Sequence, residues 1–152
     1  IDARREDKPE WVDDMFGPDQ LDTQLPYADF IVLTIPHTPA TEGLFDSSKF
    51  TLMKNSAMFI NIGRGMTTKL DDLNTALRSG SIGGAGLDVY EIEPLPEDHP
   101  LWDAPNTILT PHTAAVGGTN LLERRYEIVL ENFRKFAAGE PLRNEVDKAN
   151  WF

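Results

Sequence analysis

Apolar residues along the 152-residue chain gather into short runs punctuated by glycine and proline. Phe30-Ile31-Val32-Leu33-Thr34-Ile35 is the first clear strand. It is apolar almost throughout, the pattern of a parallel strand covered on both faces. Pro36 ends it, because proline has no N–H to give to the ladder. Ala57-Met58-Phe59-Ile60-Asn61-Ile62 reads as a second buried strand, closed by Gly63-Arg64-Gly65. Residues 84–89 form a third, whose glycines mark close approach by other backbone. Thr107-Ile108-Leu109-Thr110 is a fourth, followed at once by Pro111-His112. Residues 47–54 suit a short helix with a serine start. Residues 69–79 predict a helix with Leu70, Leu73 and Leu77 on one face and Gly80 as its stop. Between 91 and 106, Pro94, Pro96, Pro100 and Pro105 exclude a helix. A long amphipathic helix runs from about residue 120 to 138, with Leu122, Tyr126, Val129, Leu130, Phe133 and Phe136 as its apolar stripe. Asn120 and Glu123 suit a capping-box-like start, and Gly139 stops it. Residues 1–29 are polar and weakly patterned.

Strands alternating with helices imply an α/β fold built on a doubly wound parallel sheet. In such sheets ligands bind beyond the carboxyl ends of the strands. Chemistry is therefore expected at 36–41, 63–65, 88–93 and 111–115.

Composition narrows the partners. Hydrophobic residues make up 40% of the chain, enough for a real core, and 25 Asp and Glu against 14 Lys and Arg leave a formal charge of -11. Such a surface repels nucleic acid and anionic lipid, so neither is an expected partner. With no cysteine, disulfides and thiolate metal sites are excluded, and cytoplasm is the default location. No apolar run approaches the ~20 residues of a membrane helix. The first residues lack both the apolar segment of a signal peptide and an initiator Met, which points to a truncated start.

His112 is the leading candidate for chemistry. It follows a strand directly, with Pro111 fixing the backbone before it, and imidazole gives and takes a proton near neutral pH. It reads equally as a strand-end histidine satisfied by local backbone. His37 lies at another strand end, where a loop role is favoured, and His99 reads as solvated in the proline-rich loop. The three histidines show no metal-ligand spacing. Arg64 sits between glycines that would let backbone approach a ligand, and its guanidinium can grip a carboxylate with two parallel hydrogen bonds. It also reads as a surface arginine in a tight turn. Glu93 alone would be read as solvated, yet a carboxylate beside an imidazole fixes its tautomer and favours the imidazolium. Asp88 ends a buried strand and needs a partner, either a ligand amide or nearby backbone donors.

Taken in order, these fragments resemble the D-isomer-specific 2-hydroxyacid dehydrogenases. The resemblance is carried by Ala28-Asp29, Pro36-His37-Thr38-Pro39-Ala40-Thr41 and Asn61-Ile62-Gly63-Arg64-Gly65. It continues through the run from Gly86-Leu87-Asp88 to Glu93-Pro94, then His99-Pro100-Leu101-Trp102 and Thr110-Pro111-His112. Glu131-Asn132-Phe133 and Gly139-Glu140-Pro141-Leu142 look like the family's closing helix and turn. The resemblance implies a Rossmann-like cofactor domain, second half only, over residues 1–118. Residues 119–152 would be a closing helix and tail packing toward a substrate lobe. It implies that Arg64 holds the substrate carboxylate, that His112 is the acid/base and that Glu93 is its partner. It places Asp88 against the nicotinamide carboxamide, and Ile35, Pro36, Ile62, Gly63 and Ala114 along the cofactor pocket. It assigns Asp2 to the adenosine ribose of NAD, while Arg4 and Arg5 could accept the 2′-phosphate of NADP instead. Gly117-Gly118 matches the point where the family's chain leaves the cofactor domain, a candidate hinge with an ordinary helix-start loop as its equal alternative.

One departure has consequences. No G-x-G-x-x-G follows an early strand, and Gly83-Gly84-Ala85-Gly86 leads into a strand rather than a helix. The fragment is therefore expected to lack activity by itself and to need the N-terminal half of the same protein; the complete protein is expected to be a homodimer. The reaction implied is hydride transfer between a nicotinamide cofactor and a small 2-keto or 2-hydroxy acid such as glyoxylate or hydroxypyruvate. A non-catalytic, NAD-sensing or corepressor-like relative is the alternative. A formate-oxidising relative would carry glutamine where Glu93 stands.

Overall fold

The computed structural model describes residues 8–114, 116, 118, 120–146, 148 and 149. Asp2, Arg4, Arg5 and Gly117 lie outside the described residues. The backbone divides into two compact units, Ile1–Ala114 and Ala115–Phe152.

The first unit is built on four parallel strands, β1 (Phe30–Leu33), β2 (Met58–Asn61), β3 (Gly84–Leu87) and β4 (Thr107–Leu109), adjacent in that order. A short helix α1 (Leu21–Gln24) precedes β1, α2 (Ser47–Leu52) joins β1 to β2, and α3 (Leu70–Ser79) joins β2 to β3. Each strand is added on the same side of the last, which is one wing of a Rossmann-like sheet. The strands are shorter than the apolar runs because the chain leaves the ladder at its carboxyl edge. The last rungs there are Ile62 N–H to Leu33 O at 3.1 Å, Asp88 N–H to Asn61 O at 3.0 Å and Thr110 N–H to Leu87 O at 2.9 Å. Residues beyond those rungs are released into the loops that carry the chemistry.

Register decides which side chains meet. Ile31, Phe59 and Ala85 are level, as are Leu33, Asn61 and Leu87. These positions share one face: Leu33, Phe59, Ala85 and Leu87 join the buried core with Phe45, Phe50, Leu70, Leu73 and Leu77, Ile31 packs against it, and Asn61 is a buried polar group. Phe45, Phe50 and Phe59 pack ring to ring with centroids 4.9 to 6.1 Å apart. The predicted leucine face of α3 is thus the buried one, each leucine contributing roughly 1.5–3 kcal/mol by leaving water. Leu25, in the weakly patterned N-terminal stretch, is also buried.

The sheet's other face corrects an expectation. Phe30 is 69% exposed, Val32 54% and Ile108 71%, so these strands are not covered on both sides. The apolar runs encode two buried faces, but one face meets solvent among the described residues.

Three local readings also change. Asp46, not a serine, caps α2, its carboxylate accepting from the Ser48 and Lys49 amides. Residues 91–106 hold one 3-10 turn, Pro100–Asp103, because a proline at a first helical position loses no hydrogen bond. The imidazole of His99 caps that turn, Nδ1 accepting from Leu101 N–H at 3.2 Å. In the second unit, α4 (Leu121–Ala138) begins without a capping box. Asn120 stands there at φ +63° with no side-chain cap bond.

Gly80 and Gly139 end α3 and α4 in the left-handed region, as expected of helix stops. The Asn132 amide fastens the tail to α4 through both the N–H and C=O of Arg143. Leu122, Tyr126, Val129, Phe133 and Phe136 are exposed along α4.

Candidate active site

The turn after β2 is organised from inside by Asn61, a buried amide at the end of an apolar strand. Its Oδ1 accepts from Gly63 N–H at 3.0 Å. Its Nδ2 donates to Thr68 Oγ1 at 3.0 Å, Arg64 O at 3.2 Å and Thr67 Oγ1 at 3.3 Å. Thr67 adds a 2.6 Å bond to Arg64 O. A buried amide left unpaired would cost about 1–3 kcal/mol, so the turn is held where Asn61 is satisfied. Arg64 leaves this turn exposed, its Nη1 donating to Gly63 O at 2.8 Å. The flanking glycines admit protein backbone. A Cβ on Gly65 would stand 1.8 Å from Tyr90 O, and one on Gly63 would stand 2.9 Å from Ile35 O.

Opposite this turn, the carboxyl ends of β3 and β4 are laced together by Asp88, which is 4% exposed. Its Oδ1 accepts from the Thr110 hydroxyl at 2.5 Å and from Thr113 N–H at 2.8 Å. Its Oδ2 accepts from Ala114 N–H at 2.7 Å. The nearby backbone donors foreseen for Asp88 are those of Thr113 and Ala114. The Tyr90 hydroxyl adds a bond to Thr110 O at 2.9 Å. Inside this lacing His112 adopts φ +53°, with its N–H donating to Thr110 O at 3.0 Å. That conformation costs on the order of 1–3 kcal/mol, and the bonds to Asp88 on either side hold it. The aim of the ring is therefore set by a left-handed backbone at His112 itself, not by Pro111 alone.

The ring meets Glu93: His112 Nδ1 and Glu93 Oε2 are 2.7 Å apart. Glu93 Oε1 accepts from Tyr90 N–H at 3.0 Å, and the Glu93–Pro94 peptide is cis. Burial pushes the Glu93 carboxyl up, but the His112 hydrogen bond, the Tyr90 amide and the charges of His112 and Arg64 outweigh it and hold it below its ordinary value. Arg64 is therefore electrically part of the same cluster. Burial likewise raises the Asp88 carboxyl. The Thr110 hydroxyl, the Ala114 and Thr113 amides and the His112 charge overcome it, leaving Asp88 lowered.

Other sequence candidates fall along the same edge or away from it. Ile62, Pro36 and Ala114 are exposed at strand ends, Ile35 is half-buried and Gly63 is buried. Thr41 folds the 36–41 loop on itself, its hydroxyl donating to Pro36 O at 2.8 Å and accepting from Thr38 N–H at 2.8 Å. His37 turns to Glu42 in that loop, 3.4 Å away, consistent with the loop role. The contributions of Asn61, Thr110 and Tyr90 were not foreseen. Only Asn61 left a signal, a polar residue inside an apolar run.

Both depressed carboxyls predict acid sensitivity. A group whose folded pKa lies below its unfolded value stabilises fully above the unfolded value, and loses that stabilisation as pH falls through the folded one. Stability of the chain to urea should therefore decline as pH drops below about 4. Asp88→Asn should cost about 1–3 kcal/mol at pH 7, because one amide N–H now faces backbone donors, and should flatten the acid decline. Urea midpoints measured across the acid range check this; an Asp88→Asn decline as steep as the parent's would refute the role given to Asp88.

Comparison with known proteins bears on this geometry. The family profile for the D-isomer specific 2-hydroxyacid dehydrogenase, NAD binding domain, matches residues 2–114. Glyoxylate/hydroxypyruvate reductase B of Citrobacter koseri is 47% identical over 108 residues, covering 71% of this chain and 32% of the relative. The human glyoxylate reductase/hydroxypyruvate reductase is 43% identical over 121 residues, covering 78% of this chain and 36% of the relative. The chain thus spans about a third of the length of these curated relatives. A probable 2-hydroxyacid dehydrogenase from Rhizobium etli, solved with NADP, HEPES and L(+)-tartaric acid, superposes with a TM-score of 0.84 at 38% identity. That match covers 96% of this chain and 46% of the other. On the profile match and these relatives together, the chain belongs to the D-isomer specific 2-hydroxyacid dehydrogenase family.

Proposed function

We propose that this chain carries the acid/base half of a nicotinamide-dependent reductase of small 2-keto acids, such as glyoxylate or hydroxypyruvate. The observation that carries the reading is the 2.7 Å contact between His112 Nδ1 and Glu93 Oε2, with Arg64 close enough to act on Glu93. With Nδ1 held by the carboxylate, Nε2 is the position from which the imidazolium gives its proton to the carbonyl oxygen. Glu93 fixes the tautomer and stabilises the imidazolium. Arg64 grips the substrate carboxylate and offsets charge building on the carbonyl oxygen. The cofactor supplies the hydride, so keto acid, hydride and one proton yield the 2-hydroxy acid.

The strand-end surface suits a nicotinamide ring. Pro36, Ile62 and Ala114 expose apolar atoms at an otherwise polar edge, beside the buried Gly63 and half-buried Ile35. Asp88 uses three of about four acceptor positions on the segment that follows β4, leaving one for a carboxamide N–H. Asp2 remains the residue proposed for the adenosine ribose, with Arg4 and Arg5 as the NADP alternative. The Rhizobium etli structure holds NADP, so both cofactors belong in the test. The proposal includes an N-terminal half of the same protein, with a substrate lobe toward which α4 packs, a homodimeric complete protein and a cytoplasmic location. No helix among the described residues is long and apolar enough to cross a membrane.

The test is turnover of glyoxylate, hydroxypyruvate and longer 2-keto acids by the full-length gene product, with NADH and with NADPH. Arg64→Ala should raise the KM for the keto acid about 10- to 100-fold, as loss of a charged hydrogen bond does, with cofactor affinity retained. Absence of turnover with every acid and both cofactors would overturn the reading and favour a cofactor-sensing scaffold.

A further inference from the structure

Glu91 stands between Asp88 and Glu93 and has no role in the reaction as derived above. Its side chain nevertheless crosses to the other wall of the site: Oε2 accepts from Leu70 N–H at 2.8 Å, across 21 residues of sequence. Leu70 is the first residue of α3. The helix has no cap of its own, because Lys69 at the N-cap position makes no side-chain cap bond. Glu91 meets both needs of that helix end, an acceptor for a free N–H and a negative charge at the positive end of the dipole.

The location gives the bond a second consequence. The turn that carries Arg64 runs through Gly65–Thr67 directly into Lys69 and α3. The 88–93 loop carries Asp88 and Glu93, and through them holds His112. Two features lock this loop to that turn. One is the backbone contact of Gly65 against Tyr90, too close for any Cβ. The other is the Glu91–Leu70 bond. Among the described residues, it is the one side-chain hydrogen bond joining residues 63–70 to residues 88–94. The other anchors of Glu93 lie within its own loop, at Tyr90 N–H, or on the His112 side.

We propose that Glu91 is a positioning residue which, by capping α3 at Leu70, sets the separation between Arg64 and the Glu93–His112 pair. This rests on the reading of Arg64, Glu93 and His112 as the reductase site. The substrate must meet the guanidinium with its carboxylate and the imidazole with its carbonyl at the same time. A loop free to shift loses that simultaneous fit, while the cofactor platform at Pro36 and Ile62 lies outside the clamped segments and Asp88 stays anchored to the Thr113 and Ala114 amides. Glutamine retains an acceptor oxygen for Leu70 N–H; alanine does not.

The experiment compares Glu91→Ala and Glu91→Gln in two ways. In the full-length gene product, E91A should lower kcat for the 2-keto acid about 10- to 100-fold, as displacement of an orienting group does, with the dissociation constant of the reduced cofactor unchanged. E91Q should recover most of the rate. In the 152-residue chain, NMR should show the Leu70 amide and the hydrogen-bonded Nδ1 of His112 both displaced by E91A and near their parent positions in E91Q. Wild-type kcat in E91A, or E91Q as impaired as E91A, would overturn the proposal. An inactive parent whose His112 signal still moves in E91A would overturn the reductase reading and leave the clamp standing. An active parent whose signals and rate ignore E91A would overturn the clamp alone.

Discussion

Replacing His112 by alanine in the full-length gene product is expected to lower kcat for 2-keto acid reduction by at least about 100-fold, with cofactor affinity changed by no more than about twofold. The lacing of Asp88, Thr110 and Tyr90 holds the backbone that carries the ring, and Glu93 engages its Nδ1. Glu93 is a poor replacement, because without His112 its carboxylate still accepts from Tyr90 N–H and still feels the Arg64 charge, both of which favour the ionised form over an acid. His112 occupies the left-handed region, where alanine carries its own penalty of about 1–2 kcal/mol. His112→Asn is therefore the cleaner companion, since asparagine adopts that conformation readily and cannot act as an acid. Both variants should fall together. Glu93→Gln should fall less, because it keeps a partner for Nδ1 but removes the charge that favours the imidazolium. Stopped-flow measurement of the hydride step with a saturating reduced cofactor checks this. A His112→Asn enzyme at near-parent rate would remove His112 from the chemistry.

Gly65→Ala should be the most damaging single-methyl change in the first unit. The added Cβ would stand 1.8 Å from Tyr90 O, 1.9 Å from its carbonyl carbon and 2.5 Å from its nitrogen, all backbone atoms. Neither side can yield cheaply. The turn is tied to the buried Asn61 amide, and Tyr90 follows the Asp88 N–H to Asn61 O rung and carries the hydroxyl bond to Thr110. A loss of about 3 kcal/mol or more is expected, at or beyond the upper end of overpacking changes. Gly80→Ala is the control. It has φ +71° but nothing near its Cβ, so only the conformational penalty of about 1–2 kcal/mol applies. Urea unfolding of the 152-residue chain distinguishes them. A Gly65→Ala protein as stable as Gly80→Ala would mean that the contact with Tyr90 relaxes without cost.

The amino-acid sequence by itself determined the strands, the leucine face of α3, the two glycine stops and the strand ends at which polar residues gather. These are local properties. Side chains alternate along a strand and recur every 3.6 residues along a helix, so periodicity reports which positions face a core. The family resemblance added roles for Arg64, Glu93 and His112 that no single fragment carries. The tertiary structure alone decided what those residues touch. Asp88 meets Thr113 and Ala114, 25 and 26 residues away, Glu91 meets Leu70 at 21, and Glu93 meets His112 at 19. Such contacts depend on the register of β2 with β3 and of β3 with β4, which no local pattern encodes. The same holds for the glycines beside Arg64: the sequence shows that close approach occurs, but only the fold shows that the approaching group is the backbone of Tyr90 and Ile35. The cap of α3 is the sharpest case. Its acceptor comes from a loop that follows the next strand, so the residue that completes the helix end became visible only once β2 and β3 lay side by side.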